Sequence, residues 1–150
     1  MKRTLATFAL SVIASASCYA TTILSGGSIE FTSPDDLRLD PATVVVAVDV
    51  NGNADSMVNG VTFQTDGPGG VSGSVTNGAV TVTTAAANQI DGWAAPPAFT
   101  GGTGDSAANL AEIMSDIRWN GAPDPVTVDI AGLTPGTTYH IQLLFNEGGD

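Results

Sequence analysis

Cysteine is nearly absent from this 150-residue chain, with Cys18 the only one. It falls inside the first twenty residues, where Lys2 and Arg3 precede a mainly apolar run and Ala20 puts a small side chain ahead of Thr21. That order of charge, apolar run and small residue is the pattern of a secretory signal peptide cut after Ala20. The run falls short of the roughly 20 apolar residues of a membrane span. Lipid attachment at Cys18 is disfavoured, because Ser15, Ala16 and Ser17 precede it where such signals carry a large aliphatic residue. The remaining domain, 21–150, then has no thiol for a disulfide, a thiolate metal centre or a cysteine nucleophile.

Lysine is missing as well. Beyond residue 20, Arg38 and Arg118 are the only cations facing 15 Asp and Glu. With no basic stripe to neutralise phosphates, nucleic acid is excluded as a partner, and anionic membrane surfaces are disfavoured for the same reason. His140 is the only histidine, and no Gly-x-Ser-x-Gly elbow follows the signal, so a Ser-His-Asp triad has no frame to sit in. Glu30, Glu112 and Glu147 are the long carboxylates, yet no spacing singles out a pair for glycoside hydrolysis. A non-catalytic protein is the expectation, with an exported hydrolase the weaker reading. The 18 Gly and 8 Pro stay below the roughly 25–30% at which a chain reads as low-complexity. One domain of roughly 100 to 200 residues fits the length.

What is present is β patterning. The run TVVVAVDV over 43–50 is almost wholly β-branched and predicts a strand covered on both faces. Further strands are expected over 61–65, 71–75 and 79–84, with Thr76, Asn77 and Gly78 turning the hairpin between the last two. Val126, Val128 and Ile130 alternate with Thr127, Asp129 and Ala131, and beyond a turn over 133–136 the residues Tyr139, Ile141, Leu143 and Phe145 predict a second long strand. The stretch 28–31 is a weaker strand candidate. Leu110, Ile113, Met114 and Ile117 fall at helical spacing and predict an amphipathic helix over 105–119, capped by Asp105 or Ser106 and stopped by Asn120, Gly121 and Pro123, with Trp119 in the core. Ser33, Pro34, Asp35 and Asp36 mark one short helical turn. The fold class expected is mainly β, an antiparallel β-sandwich of jelly-roll character with one packed amphipathic helix. A sandwich normally has about seven strands, and the count here reaches that number only with 28–31 included. The expectation is therefore a truncated domain, the N-terminal part of a longer protein.

The residues LTPGTTY over 133–139 resemble the tyrosine corner of extracellular β-sandwiches, in which a Tyr returns its hydroxyl to the backbone, and fibronectin type III modules share this spelling. The helix just ahead of the last strands has no place in that module. Taken with Asn59-Gly60-Val61-Thr62-Phe63, the helical segment 109–117 and GLTPGTTYHIQLLFNE over 132–147, the chain from Val44 onward is more similar to malectin-like and galactose-binding-like jelly rolls of bacterial exported proteins. That resemblance implies a surface module, often one that binds carbohydrate; no binding aromatic carries over residue by residue.

Two constellations carry candidate chemistry. Asp49, Asn51, Asn53 and Asp55 set oxygens at alternate positions, as a calcium loop does, although Ala54 and Gly60 stand where an EF-hand needs Gly and Glu. A looser calcium site is weighed against a plain turn, and Asp35, Asp36 and Asp40 against charges that complement a helix start. In the Gly- and Pro-rich loop 91–104, Trp93 beside Asp91 can stack on a sugar ring while the carboxylate bonds its hydroxyls; the competing reading is a half-buried anchor for the loop. The function expected is an exported module, periplasmic, extracellular or at the cell surface, that binds carbohydrate or another extracellular polymer through Trp93 and Asp91. The alternative is a structural or adhesive surface protein with calcium-braced loops and no small ligand.

Overall fold

The computed structural model describes residues 30–93 and 98–145. The expected signal segment with Cys18, the first half of the 28–31 stretch, part of the 91–104 loop and Glu147 lie outside the described residues.

Among the described residues the chain is mainly strand with a single α-helix. The strands are β1 (Val48–Asp49), β2 (Ser56–Val58), β3 (Val61–Thr65), β4 (Ser72–Asn77), β5 (Val80–Ala85), β6 (Asn88–Ile90), β7 (Ile117–Trp119) and β8 (Thr127–Ala131), and α1 spans Ser106–Ile113. They form sheets in the orders β1-β3-β2, β4-β5-β8 and β6-β7. All pairings are antiparallel except β1 with β3, which run parallel.

The β4–β5 hairpin shows how local chemistry sets register. Its ladder closes at Asn77↔Val80, so Gly78 and Ala79 form a two-residue loop, and Gly78 takes φ +60°, which glycine adopts without a side-chain clash. On one face Val75, Val80 and Val82 are buried; on the other Thr76 and Thr81 share a hydroxyl bond of 2.9 Å. The fold returns past this loop at Gly132, whose φ is +80° and where a Cβ would stand 1.7 Å from the Ala79 carbonyl oxygen. Gly132→Ala is expected to lower the unfolding free energy by about 2 kcal/mol or more, measured by urea denaturation, since strain in φ and a backbone clash add. The turn that follows is held by the Thr134 N–H donating to the Tyr139 hydroxyl at 3.1 Å.

The core gathers Leu37, Val58, Val61, Phe63, Leu110, Ile113 and Met114, with Phe31, Val44, Ala47, Phe99 and Leu144 packed around it. Helix α1 lies against β2, and both ends of that contact are pinned. Asn59 N–H donates to Ser106 Oγ at 2.9 Å, and Asn109 Nδ2 donates to the Met57 carbonyl at 2.8 Å. The short turn at Pro34–Asp36 has its Ser33 cap, reciprocated by Asp36 in a capping box.

Four expectations are corrected. The helix does not run over 105–119 but stops at Ile113, where Ser115 turns both its N–H and its hydroxyl onto the Glu112 carbonyl. The next residues leave as β7, because Ile117 fits a helical stripe and a strand alternation equally and Arg118 must point inward. Trp119 consequently lies at the surface, 39% exposed, not in the core. Of 43–50 only Val48 and Asp49 join a ladder, and Val45 is exposed; β-branched residues favour extension, but a ladder also needs a neighbour. For the same reason 139–145 forms no ladder among the described residues, and Ile141 and Leu143 remain exposed. Short strands β2 and β6 carry no periodic signal and were not expected.

Candidate functional site

Arg118 organises the centre of the molecule. In β7 the side chains of Ile117 and Trp119 face one way and Arg118 the other, so the guanidinium enters the interior. There Nη2 donates to Asp66 Oδ1 at 2.9 Å, Nε to Thr84 Oγ1 at 3.0 Å and to Asp66 Oδ2 at 3.3 Å, and Nη1 to the Gly70 carbonyl. Asp66 also accepts the Asn51 N–H at 2.7 Å and the Thr84 hydroxyl. Both charged side chains are essentially shut off from water. Gly73 makes room for the pair, since a Cβ there would meet Asp66 Cγ at 2.7 Å and Arg118 Nη2 at 2.8 Å. One ion pair thus ties the end of β3, the β4–β5 hairpin, β7 and the 49–55 loop together.

The 49–55 loop lies beside that pair. Asp49 is 1% exposed, and its Oδ1 has no hydrogen-bond partner. Its carboxylate rests on Gly52, where a Cβ would come within 2.2 Å of Oδ2. Burial pushes the Asp49 carboxyl up to about 7, with Asp116, Glu112, Asp66 and Asp55 adding to the rise. The other calcium candidates are placed differently. Asn51, at φ +65°, gives its Oδ1 to the Gly69 N–H at 3.0 Å, and Asp55 gives an oxygen to the Thr65 N–H at 2.9 Å. Asn53 is exposed and reaches Asp91 Oδ2 with its amide at 3.5 Å. Two of the four alternating oxygens therefore serve backbone donors. Among the described residues no three His, Cys, Asp or Glu side chains converge as a ready metal cage. Asp35, Asp36 and Asp40 likewise accept backbone N–H groups, Asp35 from Gly102, Asp36 from Thr32 and Ser33, and Asp40 from Ala42.

Trp93 and Asp91 sit at the end of the β6–β7 ladder. The Trp93 N–H donates to the Ser115 carbonyl at 2.6 Å, which fixes the backbone, while the indole is 45% exposed. With Ile117 and Trp119 it lines a surface concavity of about 200 Å³. Asp116 is held above the usual carboxylate range, first by burial, against which the Gly92 N–H works, and then by Asp91. His140 is exposed.

Arg118, Asp66, Asp116 and Trp119 were missed as a set by sequence reasoning. A signal existed for the first of them. One of only two arginines beyond residue 20, flanked by Ile117 and Trp119, is placed where an inward charge needs a buried carboxylate. The chain matches no protein-family model, and neither a curated protein nor a solved structure matches it.

Proposed function

We propose that this chain is an exported, non-catalytic binding module, a β-sandwich of jelly-roll character that takes carbohydrate on the face carrying Trp93. The observation that carries the reading is the concavity lined by Trp93, Ile117 and Trp119, in which two indoles stay open to solvent. Large aromatics usually find burial, and a pair left exposed around one apolar hollow suits the C–H face of a pyranose ring. Asp91, two residues before Trp93, supplies the hydroxyl acceptor, in keeping with the way sugar sites add a few polar groups to an apolar floor.

Affinity electrophoresis of the full chain through gels containing neutral polysaccharides tests this. Trp93→Ala and Trp119→Ala are each expected to weaken retention at least roughly tenfold, the scale of a lost stacking contact, with the thermal midpoint little changed because both rings are exposed. Retention that survives both substitutions sinks the reading and leaves the adhesive surface protein with no small ligand.

A further inference from the structure

The sheet with strand order β4-β5-β8 has two outer strands, and among the described residues neither β4 nor β8 has a neighbour beyond it. An open edge offers unpaired N–H and C=O groups to any strand that can lie along it. On β4 the hairpin decides which groups those are. Its two-residue loop makes Asn77 and Val80 a hydrogen-bonded pair, and at the other end the Ala86 N–H donates to the Val71 carbonyl at 2.8 Å. Every second residue of the strand, including Gly73 and Val75, therefore turns its backbone groups toward β5. Ser72, Ser74 and Thr76 turn theirs to the open side. Their side chains are exposed and lie on the face away from buried Val75.

The two edges differ in charge. From Gly67 to Ile90, the stretch that contains β4, no residue is charged, in a chain whose formal net charge is −11. Nor does β4 hold the Lys or Pro with which sheet edges are commonly protected. On β8 the outward groups belong to Val128 and Ile130, because Thr127, Asp129 and Ala131 face β5. Pairing Val128 with Ile130 of a second copy sets the exposed Asp129 directly against Asp129 of that copy, and like charges so placed repel. One edge is thus guarded against its own kind and the other is not. Two copies of so acidic a chain meet at least electrostatic cost where neither brings a carboxylate.

We infer that β4 is a self-association edge, along which two copies pair antiparallel about a twofold axis at Ser74 and join their sheets into one. The outward groups fix this register. Residues 72, 74 and 76 can bond only to one another's counterparts, and an axis at Ser74 is the one that uses all three. It places Ser72 opposite Thr76 and Ser74 opposite Ser74, hydroxyl against hydroxyl, a favourable cross-strand combination. Within each copy Thr76 already shares such a bond with Thr81 at 2.9 Å. On the other face Gly73 falls opposite Val75, so no two bulky side chains collide. A second copy fits better than a foreign strand because the pattern is its own complement, and a twofold contact closes after one pairing. The inference does not rest on the sugar reading, since β4 contributes nothing to the concavity of Trp93, Ile117 and Trp119.

A single short ladder is small beside the roughly 1,600 Å² of a standard stable interface, so the dimer is expected to be weak and to depend on concentration. Sedimentation equilibrium of the full chain should show the mass rising from monomer to dimer, with a dissociation constant on the order of 10 to 100 μM. Ser74→Lys and Ser74→Glu are each expected to remain monomeric across that range, with the far-ultraviolet dichroism of the parent because Ser74 is exposed. Mixed in equal amounts the two should dimerise again, since opposite charges then meet at the axis. Thr127→Lys, on β8, leaves the parent's association unchanged. A parent that stays monomeric throughout overturns the inference, as does dimerisation that persists in Ser74→Lys or is lost in Thr127→Lys. A monomeric mixture of the two Ser74 variants, or growth of the parent past the dimer, overturns the twofold register.

Discussion

Arg118→Met is expected to cost about 3–5 kcal/mol of unfolding free energy, measured by urea denaturation, because it strands the Asp66 carboxylate in the interior. Small domains hold only about 5–15 kcal/mol in total, so this single change brings the protein near the edge of folding at ordinary temperature. The magnitude follows from geometry. Asp66 keeps the Asn51 N–H and the Thr84 hydroxyl but loses the one opposite charge paired with it among the described residues. Adding Asp66→Asn to Arg118→Met should restore a large part of the loss, since the amide oxygen still accepts from Asn51 and no charge is left unpaired. A surface ion pair would behave otherwise, with each single substitution costing under about 1 kcal/mol. An Arg118→Met loss of that small size would show that the pair does not hold the hairpin, β7 and the 49–55 loop together.

The second large effect is a loss of stability as pH rises. In the unfolded chain Asp49 ionises near the ordinary carboxylate value of 3.8, whereas in the folded protein burial and its carboxylate neighbours raise it to about 7. Between those values the folded state holds a proton that the unfolded state has released, so stability falls with rising pH across this window and levels off above it. The full difference is on the order of 2 to 4 kcal/mol. Urea denaturation in EDTA from pH 4 to pH 8, which keeps divalent cations away, should show this decline as the Asp49 contribution. Asp49→Asn should flatten it and be the more stable protein at pH 8, because a neutral amide replaces a buried charge. If the parent and Asp49→Asn follow parallel curves over that range, Asp49 is not the group that titrates. The slope also separates Asp49 from the ordinary case of a carboxylate stabilised by a cation, which strengthens a protein as pH rises.

The reach of the sequence can be judged segment by segment. Strand β3 over Val61–Thr65 and the β4–β5 hairpin were legible because their information is local: alternation places Val61 and Phe63 inward, and Gly78 occupies the one position where the loop needs positive φ. The short turn at Pro34–Asp36 was legible for the same reason, with its cap and its proline adjacent in the chain. The helix was legible at its start and core but not at its end. Ile117 satisfies the helical spacing of Leu110 and Ile113 while also fitting a strand, and only the pairing with Ile90 decides between them. Of the residues in the proposed binding face, Asp91 and Trp93 stand out in the sequence as an aromatic beside an acid. Their partners Trp119 and Asp116 were not, because β6 and β7 lie some thirty residues apart in the chain and meet only in three dimensions.

By itself the sequence determined a mainly β chain with one helix, a surface almost without positive charge beyond residue 20, and the positions of its tight turns, since propensity, alternation and glycine placement act over a few neighbouring residues. Tertiary structure alone decided which of the 15 Asp and Glu are buried. It set Asp66 against Arg118 across 52 positions, left Asp49 and Gln89 with unpaired oxygens, and turned Trp93 and Trp119 to one side of a ladder. The physical reason is that burial raises the energetic consequence of every charge and every unmade hydrogen bond, and burial is a property of the packed chain and not of any segment of it.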